Sequence, residues 1–231
     1  IIDLELEQID KIINKLETDP EAEDIKLTEK QLWQKIKEKA VLGRRTGVGI
    51  TAEGDMLAAL NIRYGTDEAT DFSEEVHKRV AINAFQSSVN MAEERGAFEI
   101  YDAKREENNP FILRIKAENA ALYKKMTQVG RRNIAMLTIA PTGSTSIMSQ
   151  TTSGIEPVFM VSYKRRKKIN PNDINATTSY VDENGDHWEE YNVFHHKFIT
   201  WLELHNYDVE QVKKMKDEQL QEIIKTSPYY K

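Results

Sequence analysis

Apolar residues recur at helical spacing near the start of the chain. One stripe predicts an amphipathic helix that ends before Asp19 and Pro20. Its members are Ile2, Leu6, Ile9, Ile13 and Leu16. Thr28, followed three residues later by Gln31, has the pattern of a capping box and predicts the start of a second helix. Residues 21–26 are then expected to form an acidic surface loop.

The longest helix is predicted at 71–94. Asp71 and Glu74 give a capping signal at its start, and Gly96 follows its end as a stop signal. Pro110 is expected to open a shorter helical region that continues to about Val129.

The C-terminal third combines a hairpin with two helices. Asn184 and Gly185 between two β-prone pairs predict a tight hairpin turn, and 170–173 predicts another turn. A helix ending near Asn206 is expected to have an apolar face, and a second, amphipathic helix is expected at 209–225. The members of the apolar face are Tyr191, Phe194, Phe198, Trp201 and Leu202.

Three short β-prone runs alternate with these helical stretches. They lie at 46–51, 134–139 and 158–163, and the long helical crossovers between them are typical of parallel sheets. The pattern therefore predicts a helix-rich α/β fold.

The run at 134–139 leads into a turn that is rich in hydroxyl side chains. The first N–H groups of a helix lack partners inside the helix and lie at the positive end of its dipole, so an anion placed there completes hydrogen bonds. A glycine at such a turn has no Cβ to keep a phosphate away. The sequence thus predicts a phosphate-binding loop at 140–147, with a ligand-free helix cap as the alternative interpretation. The candidate residues are Pro141, Thr142, Gly143, Ser144, Thr145 and Ser146.

Other nucleotide motifs fit less well. No lysine follows Gly143, which disfavours a Walker A loop. The glycines at 47–52 resemble a dinucleotide fingerprint, but Arg44 and Arg45 before them are not strand-like, so close backbone packing explains these glycines better. Asp182 and its neighbours imitate the start of a calcium loop, but His187 and Val193 break the pattern, and no metal site is predicted.

Three segments resemble the large chain of ribonucleotide reductases. APTGSTS at 140–146, followed by TTSGIEPVF at 151–159, resembles the phosphate-binding loop of that family, most of all in its adenosylcobalamin-dependent class II branch. GRRTGVGITAEGDMLAAL at 43–60 resembles the strand and helix that precede this loop, and YDAKREENNPF at 101–111 resembles an intervening loop.

The resemblance implies a fold, a reaction and a cofactor. The chain would be a single partial domain over 1–231, belonging to the C-terminal half of a ten-stranded α/β barrel. Its loop at 140–147 would anchor the phosphates of a ribonucleotide whose 2′-hydroxyl is replaced by hydrogen through radical chemistry. Adenosylcobalamin would serve the full enzyme, and no residue of this chain is assigned to it.

The absence of cysteine limits that interpretation. The resemblance implies a thiyl-radical cysteine and a reducing cysteine pair, and this chain has no cysteine. The chain alone is therefore expected to be inactive, with a cysteine-bearing N-terminal part of the barrel as its partner and a homodimer of the full enzyme as a further implied assembly. A half barrel would expose sheet edges and core surface, so we expect a marginally stable or associating chain.

Composition narrows the partners further. The net charge of −6 disfavours nonspecific nucleic-acid binding, and the basic run at 164–168 is expected to be a solvated strand or loop end. No apolar run of membrane-spanning length occurs, and a cytoplasmic location is expected. Two other functional classes remain open. They are a non-catalytic phosphate- or nucleotide-binding module and a helical interaction protein built on the Ile2 to Leu16 stripe.

Overall fold

The structure, a computed structural model, describes residues 1–170 and 177–230; of the turn predicted at 170–173, the part from 171 lies outside the described residues. The described chain is mainly helical. Its helices are α1 (Ile2–Leu16), α2 (Glu23–Gly43), α3 (Glu53–Ala59), α4 (Asp67–Arg95), α5 (Ala103–Glu106), α6 (Pro110–Glu118), α7 (Ala120–Val129), α8 (Gly143–Ser149), α9 (His196–Leu204), α10 (Val209–Lys213) and α11 (Asp217–Thr226). Its strands are β1 (Ser162–Lys168), β2 (Tyr180–Val181) and β3 (His187–Phe194).

Two compact units make up the chain. The first contains Ile1–Gly49 and Glu75–Thr138, and the second contains Ile50–Glu74 and the chain from Ile139 onward. Each unit has its own apolar clusters. The prediction of a single partial domain over 1–231 stays a prediction.

The first unit begins with the helix pair α1 and α2. The predicted stripe on α1 is confirmed, with Ile2, Ile9 and Leu16 buried. The predicted start of the second helix is wrong, because α2 begins at Glu23 and includes most of the expected acidic loop. Thr28 lies inside α2, where its hydroxyl donates to the carbonyl oxygen of Asp24 at 2.8 Å instead of capping the helix.

The main core of the first unit lies between α4, α6 and α7. Its buried members are Phe85, Val89, Ile112, Ile115, Leu122, Met126 and Met136. α4 starts at Asp67, earlier than predicted, and the stop signal at Gly96 is confirmed by its left-handed φ of 82°. Pro110 opens α6 as predicted, and the Asn109 side chain caps this helix by accepting from Phe111 N–H.

The runs at 46–51 and 134–139 pair in parallel but do not form regular strands. Val48 and Leu137 make one isolated parallel bridge, and Val48 N–H donates to the Met136 carbonyl at 2.7 Å. The glycines around Val48 are needed for this close approach, as predicted. A Cβ at Gly49 would lie 2.1 Å from the Thr138 carbonyl oxygen, so the backbones could not approach as they do.

The second unit contains the regular sheet, and it is antiparallel. β3 lies between β1 and β2, and Gly185, with φ 82°, turns the predicted hairpin between β2 and β3. The strand predicted at 158–163 is displaced, since β1 begins only at Ser162. β1 carries the basic run, whose side chains are exposed, as predicted.

α9, α10 and α11 cover the core of this unit. Phe198 and Leu202 are buried on α9, whereas Tyr191 and Phe194 lie on β3, so the predicted single helical face is wrong. The helix predicted at 209–225 is divided into α10 and α11. No helix in the described part of the chain is long and apolar enough to cross a membrane.

Candidate functional site

The predicted phosphate loop lies in the second unit, at the start of α8. The helix begins at Gly143, and Thr142 is its N-cap residue. A Cβ placed on Gly143 would meet no described atom within 4 Å, so this position is open. Among the described residues, the backbone N–H groups of Ser144 and Thr145 have no acceptor, as expected for the first turn of a helix.

The four predicted hydroxyl groups fall into two classes. Ser144 and Thr145 are exposed, together with Pro141 and Gly143. Ser146 is buried, and its hydroxyl donates to the Gly143 carbonyl oxygen at 2.7 Å. The Thr142 hydroxyl accepts from Gly154 N–H at 2.8 Å, so Thr142 and Ser146 shape the loop from within.

Residues 151–154, which return from α8 and are called here the return segment, are held against α3. Glu53 N–H donates to the Gly154 carbonyl oxygen at 3.3 Å, and the Thr51 and Thr142 hydroxyls lie 2.9 Å apart. The first turn of α3 also packs tightly against Pro157, which follows the return segment. A Cβ at Gly54 would lie only 2.7 Å from Pro157 Cα. The loop therefore rests on a close-packed platform.

Asp55 is the buried polar centre of this platform. Its carboxylate accepts from Thr152 N–H at 2.8 Å on Oδ2. On Oδ1 it accepts from His195 Nε2 at 2.8 Å, and the Tyr229 hydroxyl donates to the same atom at 3.3 Å. Because a carboxylate only accepts, these contacts place the His195 proton on Nε2.

Sequence reasoning missed this cluster. The sequence pattern predicts no role for His195 or Tyr229, and Asp55 enters only as part of the resembling segment 43–60. Asp55 and Tyr229 are 174 residues apart in the sequence, so no local spacing connects them. The one available signal was an acidic residue in the first turn of a short helix after a glycine-rich stretch.

The environment of Tyr229 suppresses its ionisation. Burial raises the pKa of Tyr229 well above its usual range, and the neighbouring negative charge of Asp55 adds to this effect. The phenol is therefore a permanent hydrogen-bond donor at physiological pH.

A cavity of about 580 Å³ adjoins the cluster within the second unit. Its lining includes Thr51, Asp55, Met56, Trp201 and Tyr229. The hydroxyl of Thr51 also contacts that of Thr142, the N-cap residue of α8, so one lining residue of the cavity contacts the predicted phosphate loop. Its volume is in the range of ordinary small-molecule pockets.

No group of three or more potential metal ligands occurs among the described residues. Asp182, which belongs to the calcium-like pattern, stabilises the hairpin turn in which it lies. One oxygen accepts from the N–H groups of Asn184 and Asp186, and the other accepts from Trp188 Nε1 at 2.8 Å. The bond from Trp188 is the main reason that the pKa of Asp182 is lowered.

Comparison with known proteins gives a family match over nearly the whole chain. The family model described as ribonucleotide reductase, barrel domain, matches residues 8–229. The match includes the predicted phosphate loop and all members of the Asp55 cluster.

Curated relatives match a shorter part. A vitamin B12-dependent ribonucleoside-diphosphate reductase of Mycobacterium tuberculosis (strain CDC 1551 / Oshkosh) is 32% identical over 129 residues, which are 55% of this chain and 16% of that protein. A protein of the same name from Thermoplasma acidophilum is 30% identical over 132 residues, or 57% of this chain and 15% of that protein. The ribonucleoside-diphosphate reductase subunit alpha of Treponema pallidum is 27% identical over 128 residues, or 54% and 15%. The matched part thus spans about one sixth of the length of these relatives.

Proposed function

We propose, on the premise that this chain belongs to the ribonucleotide reductase barrel-domain family, that it forms part of an enzyme that converts ribonucleotides to deoxyribonucleotides. The proposed role of this part is to bind the substrate phosphates at the loop of residues 140–147. We further propose that the chain contributes to the ten-stranded barrel that the family resemblance implies. The single observation that carries the phosphate site is the open helix start at Gly143.

The loop offers donors of two kinds. Ser144 and Thr145 supply unpaired backbone N–H groups and exposed hydroxyls, and the missing side chain of Gly143 leaves room for a phosphate oxygen. A hydrogen bond to a charged group contributes about 1.5–3 kcal/mol, and the helix dipole about 0.3–1 kcal/mol. Such a loop holds a diphosphate, but tight binding needs further contacts to the nucleoside.

Phosphate anchoring would serve the reaction by orientation. Binding energy from a remote charged group can hold the sugar against the reacting centre, which raises the rate without the loop taking part in bond cleavage. The chain has no cysteine. We therefore propose that the radical cysteine and the reducing cysteines come from an N-terminal part of the barrel, and that the full enzyme can act as a homodimer.

Exposed apolar side chains near the loop support a further packing partner. Ile147 and Met148 on α8 are 79% and 87% exposed, and Phe159 is 90% exposed. Side chains of this kind are usually covered in a complete domain. We propose that the remainder of the barrel covers them, so the chain without it should be marginally stable or self-associating.

Adenosylcobalamin is the proposed cofactor of the full enzyme, because two of the relatives are named as vitamin B12-dependent. When bound, this cofactor supplies the initial radical. The cavity beside Asp55, at about 580 Å³, suits a drug-sized ligand, whereas a corrinoid with its adenosyl group is much larger. This cavity is therefore too small to hold the whole cofactor.

Replacement of Gly143 by valine tests the phosphate site. The valine side chain enters open space, so the fold should be retained, but it occupies the place proposed for a phosphate oxygen. We expect the affinity for ADP and for inorganic pyrophosphate, measured by calorimetry, to fall at least tenfold. Ile147→Val, at an exposed position on the same helix, is the matched control and should bind like the unchanged chain.

Equal affinities of the Gly143→Val and unchanged chains would contradict the phosphate site, as would an unchanged chain that binds neither ligand. Circular dichroism confirms that the variant remains folded.

A non-catalytic nucleotide-binding module is the second candidate, and the absence of cysteine favours it. Mixing the chain with a cysteine-bearing N-terminal part, adenosylcobalamin and a dithiol reductant separates the two candidates. Formation of deoxyribonucleotide supports the reductase, whereas ADP binding without turnover supports the module. The third interpretation, an interaction protein, loses its basis because the α1 stripe is buried or half-buried within the first unit.

A further inference from the structure

Two hydrogen bonds, joined by the backbone of residues 152–154, connect the side chain of Asp55 to the start of α8. The Asp55 carboxylate accepts a hydrogen bond from the N–H group of Thr152, the second residue of the return segment. Two residues later, Gly154 N–H donates to the hydroxyl of Thr142, the N-cap residue of α8. The carboxylate in α3 and the proposed phosphate loop are thus linked through one short segment.

The backbone of α3 strengthens this link. Glu53 N–H donates to the carbonyl oxygen of Gly154, so the return segment is bound to α3 at both Thr152 and Gly154. Gly154 has a φ of 40°, and a Cβ there would lie 2.4 Å from Glu156 Oε2. Its hydrogen bonds to Glu53 and Asp55 hold the segment against α3 at two points, so its position depends on α3.

The orientation of the Asp55 carboxylate is fixed from the other side. His195 immediately precedes α9 and Tyr229 lies after α11, and both donate to Oδ1. The His195 and Tyr229 rings also contact each other edge to face, with centroids 5.8 Å apart. With Oδ1 held by two donors, Oδ2 is left directed at Thr152.

We propose that Asp55 is a positioning residue for the phosphate loop. Asp55 sets the place of the return segment through Thr152 N–H, and the return segment sets the N-cap residue Thr142 and the exposed N–H groups that follow it. This inference rests on the proposed function of the loop. Asp55, which is buried and distant from the loop in sequence, would thus hold the loop in the geometry that binds a diphosphate.

The charge of Asp55 agrees with an indirect role. A carboxylate in contact with a phosphate would repel it, but both oxygens of Asp55 accept hydrogen bonds from protein groups, and its side chain is 7% exposed. Asp55 therefore acts through the backbone it binds, and not by touching the ligand.

The test compares Asp55→Ala with Asp55→Asn. Alanine removes every acceptor, whereas asparagine keeps one oxygen for Thr152 N–H and turns its amide towards His195 and Tyr229, which can both accept. Two quantities are measured on the chain: amide hydrogen exchange at Gly154, whose N–H group is hydrogen-bonded to Thr142, and the affinity for inorganic pyrophosphate.

We expect Asp55→Ala to speed exchange at Gly154 at least tenfold and to weaken pyrophosphate binding about tenfold, which is the lower end of the loss seen when groups that orient metal ligands are removed. In Asp55→Asn, exchange at Gly154 should stay almost as slow, and pyrophosphate binding almost as tight, as in the unchanged chain. Val212→Ala, which opens a cavity in the core of the same unit, is the control for general destabilisation and should leave the affinity unchanged. His195→Ala should also speed exchange at Gly154 and weaken pyrophosphate binding, but by less than Asp55→Ala. If Asp55→Ala does not fold, the His195→Ala variant provides the test.

Two results would overturn the inference. One is unchanged exchange at Gly154 in Asp55→Ala, or in His195→Ala if only that variant folds. The other is an equal loss of affinity in the Val212→Ala control. An unchanged chain that does not bind pyrophosphate, but in which exchange at Gly154 still depends on Asp55, would refute the proposed function and leave the positioning of the loop by Asp55 supported.

Discussion

A deeply buried charged side chain joins distant segments in each unit, Arg131 in the first and Asp55 in the second. The Arg131 side chain is 4% exposed and forms a two-pronged ion pair with Glu106, in which Nη2 donates to Oε1 at 2.6 Å. It also donates to the carbonyl oxygens of Asn133 and Ile134 at 3.0 and 3.2 Å. Three aromatic rings surround its guanidinium group within 6 Å, those of Phe85, Phe98 and Tyr101.

The two centres differ in where their hydrogen bonds lead. The partners of Arg131 are an acid, two carbonyls and three rings of its own unit, and none of these contacts reaches the proposed site, so its contribution is to stability. Asp55 joins segments of the second unit. One of its hydrogen bonds leads, through the return segment, to the exposed start of α8 with its unpaired N–H groups. The comparison teaches that burial of a charge indicates structural importance, while the end point of its hydrogen-bond chain indicates a functional role.

Removal of the Arg131 charge should have the largest effect on stability. Arg131→Met leaves Glu106 and two carbonyl groups without their donor, so we expect a loss of about 3–5 kcal/mol in the free energy of unfolding, measured with urea. Arg105→Met is the matched control, because Arg105 is exposed and its distance to Asp102 is 3.6 Å. The control should lose less than about 1 kcal/mol. Similar losses in both variants would remove Arg131 from the comparison.

The second-largest difference in stability is expected when a glycine of each unit is replaced by alanine. Gly49→Ala forces a Cβ against the Thr138 carbonyl oxygen, and we expect a destabilisation of about 1–3 kcal/mol. Gly143→Ala meets no described atom and should be close to neutral. The measurement is again urea unfolding, and a neutral Gly49→Ala would show that the parallel pairing at Val48 is not close-packed.

Alkaline titration should reveal one tyrosine in each unit. Burial raises the pKa of both Tyr101 and Tyr229, with further contributions from Glu106 and Asp55, respectively. A raised folded-state pKa means that the folded chain holds the proton more tightly. The stabilisation is therefore complete below the unfolded pKa of about 10 and is lost as the pH rises towards the folded pKa.

Tyr101→Phe and Tyr229→Phe should each flatten the decline of unfolding free energy above pH 10, measured by urea unfolding at a series of pH values. Tyr230→Phe, at an exposed position in the second unit, should leave the decline unchanged. A decline in Tyr229→Phe as steep as in the unchanged chain would argue against the burial of this phenol beside Asp55.

The smallest effect is expected at Thr152. Its hydroxyl is buried without a hydrogen-bond partner among the described residues, so Thr152→Val should be neutral or stabilising by up to about 1 kcal/mol. Ser146→Ala removes a hydroxyl that does donate, to Gly143, and should lose about 0.5–1.5 kcal/mol. A reversed order in thermal unfolding would mean that the Thr152 hydroxyl has a partner the structure does not show.

Sequence reasoning succeeded where the signal was local. The α1 stripe, Pro110, Gly96 and the turn at Gly185 were predicted because each depends on neighbouring residues and on fixed backbone preferences. It failed at the start of α2, where continuous helix formation overrode the capping signal of Thr28.

The strands show the same limit. Residues 134–139 have the composition of a buried strand, yet Thr138 and Ile139 are exposed and the pairing with Val48 is a single bridge. Strand formation requires a partner over the full length, which composition does not supply. The aromatic face expected on one helix is divided between β3 and α9 for a similar reason, because adjacent apolar residues suit either element.

The sequence by itself determined the helix-rich character and the family resemblance, and it located the hydroxyl-rich turn for which phosphate binding is proposed, because these depend on residue types within short windows. Only the tertiary structure decided that Thr142 and Ser146 turn inward while Ser144 and Thr145 stay exposed. It alone brought Asp55 and His195 together across 140 residues of chain. A buried carboxylate takes its donors from whichever segments folding places beside it, and those segments are chosen by packing and not by spacing along the chain.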